Sequence, residues 1–110
     1  MEIKILNLCS HVIKVKNANG EEIIFQPENR LCPARVQNDL QTIIKIGGID
    51  ICKRTSASNS NLPPMRDGYL YIVSRPVAIA NKDRHDLLTP CGIVKDAIGD
   101  VQYCTGLEVI

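Results

Sequence analysis

A chain of 110 residues has room for one hydrophobic core and so for one compact domain, 1–110, but not for a catalytic domain with a regulatory one beside it. Its 45% hydrophobic and 23% charged content excludes collagen-like, mucin-like and wholly disordered classes. Thirteen Lys and Arg against twelve Asp and Glu exclude a global field able to hold a nucleic-acid polymer by counterion release.

With four aromatic residues and no Trp, the core has to be built from Ile, Val and Leu, which favours strands. No apolar run approaches the length needed to cross a bilayer, and Met1-Glu2-Ile3-Lys4 does not read as a leader, so a cytoplasmic protein with no membrane partner is expected. The five cysteines, Cys9, Cys32, Cys52, Cys91 and Cys104, stand singly without the spacing of a zinc knuckle. They are expected to be reduced and mostly buried, and no cofactor is expected.

In chain order, Glu2 to Leu8 places Ile3, Ile5 and Asn7 on one side of a strand and Lys4, Leu6 and Leu8 on the other. His11 to Lys16 alternates in the same way and meets Asn19-Gly20, a pair suited to the positive φ of a tight turn, before Glu21 to Gln26 returns. This first third reads as a β-meander ended by Pro27. Ala34-Arg35-Val36 reads as a short strand, and Gly47-Gly48 between Leu40–Ile46 and Ile49–Lys53 as a hairpin. The small polar residues and prolines that follow predict a long loop over about 55–68. Tyr69 to Ser74 predicts a buried central strand, with Tyr69 and Tyr71 on one face. Pro76 followed by Ala78 and Ala80 predicts a short helix near 76–82. Ile93–Lys95 and Val101–Cys104 flank an Asp96–Asp100 turn as a closing hairpin. Together these elements predict an α+β domain, mainly antiparallel β in a meander and hairpins, with one short helix.

The chemistry is densest between Ser74 and Pro90, where a rigid strand delivers polar groups into a turn. Arg84 offers a planar fork to phosphate or carboxylate, Arg75 and Arg35 add charge-assisted donors, and Asn81 and Ser74 add neutral hydrogen bonds. Asp86 is suited to orienting Arg84. These six, Arg35, Ser74, Arg75, Asn81, Arg84 and Asp86, are the candidate ligand-binding residues. The competing reading makes Arg84 and Asp86 a local ion pair that holds a turn. No Gly-x-Ser-x-Gly elbow surrounds Ser74, so His85-Asp86 is a poor triad and no catalytic residue is assigned.

Tyr71-Ile72-Val73-Ser74 with Val77-Ala78, then Arg84, Asp86-Leu87-Leu88-Thr89-Pro90, Val94-Lys95-Asp96, Gly99 and Cys104-Thr105-Gly106-Leu107, resemble a family of small phage and prophage proteins. Its members also carry a strand like Ile5-Leu6-Asn7-Leu8, a His like His11 and a stretch like Pro33-Ala34-Arg35-Val36. Asn7-Leu8-Cys9-Ser10-His11 replaces the family's more usual Asn-Leu-Thr-Pro-His. The resemblance implies a viral origin and the cytoplasm of an infected bacterium. By analogy with phage proteins of this size, it implies a homo-oligomeric, non-enzymatic protein that sequesters a nucleotide second messenger of bacterial immunity, such as a cyclic dinucleotide or a cyclic ADP-ribose-like molecule. The alternatives are an inhibitor of a host protein and a virion-associated protein.

Overall fold

The computed structural model describes residues 2–110, and at 38 and 55–57 the strand backbone alone. Strands make up 51% of the chain and helix 6%, so the fold is mostly β with one short helix. The strands are β1 (Lys4–Asn7), β2 (Ile13–Lys16), β3 (Glu22–Phe25), β4 (Arg35–Ile46), β5 (Ile49–Ser60), β6 (Tyr69–Ile72), β7 (Leu87–Lys95) and β8 (Val101–Glu108), with helix α1 (Arg75–Ala80) between β6 and β7.

Six strands form one sheet in the order β1-β6-β7-β8-β2-β3, and β4 and β5 form a separate hairpin. The expected antiparallel hairpins are present in β2–β3, β7–β8 and β4–β5, but the sheet is mixed and not purely antiparallel, because β1 with β6, β6 with β7 and β2 with β8 are parallel. The cause lies in the connections, because α1 carries the chain back over the sheet so that β7 enters in the same direction as β6. The first third is not a meander either. β2 and β3 pair as the expected hairpin, but β1 leaves them and pairs 65 residues downstream, Lys4 with Tyr69.

The sheet curls until its two edges meet. Beyond β3, Pro27 forms a parallel bridge with Asn7 at the end of β1, and the Glu28 N–H donates to the Asn7 carbonyl at 2.8 Å. Asn7 is buried at the end of β1, and its amide donates to the carbonyls of His11 and Phe25 at 2.8 and 2.9 Å. Its Oδ1 accepts the Cys9 N–H at 2.9 Å. One side chain thus ties together the ends of β1 and β3 and the entry to β2, satisfying backbone groups that closure buries.

Two apolar layers follow from the period-two alternation. Inside the curl, Ile13, Val15, Ile72, Leu88, Cys9 and Cys104 pack with Ile5, Phe25, Leu70 and Leu107, so every strand of the sheet contributes. Outside it, Tyr71, Val73, Leu87, Val77, Ala78 and Ala34 pack with Leu6, Leu8, Val36, Leu62, Tyr69 and Ile110. The end of β6 is therefore buried on both faces, as its unbroken apolar run predicts, with Tyr71 at 3% and Ile72 at 0% exposure. The Tyr69 and Tyr71 rings stack at 6.4 Å in the outer layer.

β7 serves two neighbours, giving Leu87 and Leu88 to β6 and its residues from Thr89 onward to β8. Gly92 has φ +64°, and a Cβ there would lie 1.9 Å from the Thr105 Oγ1, so only glycine fits the kink.

The β4–β5 hairpin projects as an arm. The chain's radius of gyration of 16.9 Å exceeds the roughly 13 Å of a compact domain of this length, and the long axis reaches 54 Å. Gly47 and Gly48, both at positive φ, make the expected turn. The loop predicted over 55–68 is strand as far as Ser60, because the polar residues pair with β4 (Arg35 with Ser60, Val36 with Asn59) and need no apolar face to do so. Open chain covers only 61–68. The expectation of mostly buried thiols also fails in part: Cys9 and Cys104 are buried, Cys91 is half-buried, and Cys32 and Cys52 are exposed. Among the described residues no helix is long and apolar enough to cross a membrane.

Candidate functional site

The six predicted residues do not form one cluster. Arg84, Asn81 and Asp86 are engaged within the fold. Arg84 Nε and Nη2 donate to the two carboxylate oxygens of Asp86 at 2.9 and 2.6 Å, and Nη1 donates to the Pro63 carbonyl at 2.9 Å. The side chains are 15% and 7% exposed, so this is a two-pronged ion pair inside the outer layer. The bond to Arg84 holds the Asp86 carboxyl below its usual range against the opposing effect of burial, and the same bond raises Arg84. Among the described residues no hydrogen bond joins Asp86 to His85, and both of its carboxylate oxygens are bonded to Arg84. Asn81 caps α1, donating to the Val77 carbonyl at 2.8 Å, and exchanges two amide hydrogen bonds with Asn59 of β5 at 2.9 and 3.0 Å. These residues fasten the root of the arm and the 61–64 segment to the sheet.

Ser74 and Arg75 point elsewhere. Ser74 occupies the N-cap of α1 with extended backbone, and its hydroxyl makes no capping bond. Arg75 is exposed and lies 3.4 Å from Glu108. Both line a cavity of about 180 Å³ with Cys9, His11, Thr89 and Pro90. Arg35, exposed at the start of β4, is near enough for its charge to act on the Cys9 thiol, although burial is the stronger effect and raises that thiol.

The cavity shares His11, Ile13, Pro90 and Ile93 with a second of about 300 Å³ that runs on past Lys14, Val101, Gln102 and Tyr103. The two make one groove, and its origin is in the sheet. Parallel β2 and β8 are joined at the single partner pair Val15–Cys104, so the strands part beside it. The parted walls are apolar (Ile13, Pro90, Ile93, Val101), with Tyr103 at one end and Arg75 at the other.

At the narrow end the Thr89 hydroxyl is buried without a hydrogen-bond partner among the described residues. A buried hydroxyl of this kind costs about 1–3 kcal/mol, a cost that no hydrogen bond among the described residues offsets.

Sequence reasoning reached Ser74 and Arg75 but missed Thr89, His11, Ile93 and Tyr103 as groove residues. Thr89-Pro90 and His11 stood within the resemblance, yet no local period marks two strands that part. Among the described residues no three His, Cys, Asp or Glu side chains converge to hold a metal ion. No protein family, curated protein or solved structure matches this chain.

Proposed function

We propose that the protein is a non-catalytic binding protein that takes a small anionic nucleotide in the groove between β2 and β8 and so sequesters it. The reading extends to a phage-encoded protein acting in the cytoplasm of its bacterial host against a nucleotide second messenger of immunity. The observation that carries it is the apolar groove itself, which ends beside the Arg75 guanidinium and the Ser74 hydroxyl that makes no capping bond. Apolar walls with a few convergent polar groups are what small-ligand sites have in common. A base fits against Ile13, Ile93 and Tyr103, where ring and aliphatic contacts need no charge, while a phosphate suits Arg75 at the other end.

The test is calorimetry with a panel of cyclic dinucleotides and ADP-ribose-derived cyclic nucleotides, followed by heat denaturation and chromatography of the released ligand. Saturable binding with intact ligand recovered is expected, and Arg75→Ala is expected to weaken it roughly tenfold to a hundredfold, as for a lost charge-assisted contact. Converted ligand would overturn the non-catalytic reading. An absence of binding by every member of the panel would overturn the nucleotide reading.

A further inference from the structure

The arm carries more apolar surface than a free hairpin has reason to carry. From 39 to 54 every described side chain on it is exposed, yet five of those residues are isoleucine: Ile43, Ile44, Ile46, Ile49 and Ile51, at 62, 54, 60, 65 and 40% exposure. The ladder places four of them together. Ile44 faces Ile51 and Ile46 faces Ile49, so by the period of two both pairs project from one face of the ribbon. Ile43 is the extra residue of the bulge between Thr42 and Ile44 and stands beside them. The opposite face carries the Lys45–Asp50 pair at 3.6 Å. One side of the tip is therefore patterned for burial and the other for water, and two strands alone bury neither.

We infer that this isoleucine face is the interface of a symmetric homodimer, packed against the same face of a second copy. Three observations favour a second copy over other occupants. The patch is built from like-on-like pairs and carries no charge among its five residues, so a copy related by a two-fold axis matches it in chemistry and outline. The two bulges put one extra residue into each strand, position 55 of β5 opposite Asp39/Leu40 and Ile43 of β4, so each edge of the ribbon is interrupted once, which disfavours extending the ladder with another strand and leaves the face as the contact. The area also suffices. Five isoleucines at these exposures leave roughly 300 Å² of apolar surface open on each copy. Interfaces are a little over half apolar, so the patch with its polar surround buries about 500 Å² per copy and about 1,000 Å² in all, the size a specific interface has to reach.

Sedimentation velocity and light scattering on the full chain at tens of micromolar test this. A mass near twice the 12.2 kDa chain is expected. Ile46→Glu combined with Ile49→Glu should return the monomer mass with an unchanged circular dichroism spectrum, since both side chains are exposed in the monomer. Lys45→Ser, on the opposite face, should leave the dimer intact. A wild-type chain that stays at monomer mass, a double variant that keeps the dimer mass, or a dimer lost through Lys45→Ser would each overturn the assignment. The outcome is independent of nucleotide binding.

Discussion

Arg84→Ala tests whether the Arg84–Asp86 pair is structural. The substitution removes three hydrogen bonds, two to Asp86 and one to the Pro63 carbonyl. It leaves a carboxylate that is only 7% exposed without the guanidinium that neutralises it. Breaking a buried pair from one side costs about 3–5 kcal/mol, because the remaining charge is stranded. For a domain of this size that is a fall in Tm of roughly 12–20 °C. Urea denaturation followed by circular dichroism measures it. Arg84→Met together with Asp86→Leu should lose less than Arg84→Ala alone, since neither charge then remains. If Arg84→Ala unfolds within about 1 kcal/mol of wild type, the pair does not hold the outer layer, and a ligand-binding role for Arg84 comes back into force.

Asp86 also sets a pH dependence. Its folded pKa lies below the ordinary 3.8, so its stabilising contribution is fully present above that value and is lost as pH falls through the depressed folded pKa; acid titration of Asp86→Asn should show a shallower decline below pH 4 than wild type. Thr89→Val should raise stability by about 1 kcal/mol, and a lower Tm would mean that the hydroxyl has a structural partner. Timed thiol labelling of the native protein at mildly alkaline pH should modify Cys32 and Cys52 first and spare Cys9 and Cys104, whose thiols burial pushes up. Mass spectrometry reads the order, and early labelling of Cys104 would contradict the closed core.

What was legible in the sequence was local. Asn19-Gly20, Gly47-Gly48 and Gly99 mark turns because the positive φ of each glycine (80, 58, 78 and 94°) is a property of one or two residues. The burial at the centre of Tyr69–Ser74, at Tyr71, Ile72 and Val73, was readable from its unbroken aromatic and β-branched run. What was hidden depends on partners far along the chain. Nothing in Lys4–Asn7 names Tyr69–Ile72 as its neighbour, and nothing in the polar run before Ser60 shows that β4 will pair with it. The site divided in the same way. Ser74 and Arg75 were found because they follow a strong strand, whereas Thr89 acquires its meaning only from the cavity it faces. Arg84 and Asp86, two residues apart, satisfy each other through the same donor geometry that makes a guanidinium suited to an anionic ligand.

The arm's two roots leave the body side by side. Arg35 pairs with Ser60, and the Asn61 amide donates to the Pro33 carbonyl at 3.2 Å, so whatever lies between 35 and 60 begins and ends at nearly one point on the surface. Its length is therefore uncoupled from the closure of the sheet. Rungs removed in matched pairs shorten the ribbon without moving either root, and each doubling of the intervening chain alters the entropy of closing it by only about 0.6 kcal/mol. Variation in that stretch changes how far the isoleucine tip reaches while the groove below it stays the same, so the proposed dimer contact and the proposed ligand groove are free to diverge at different rates.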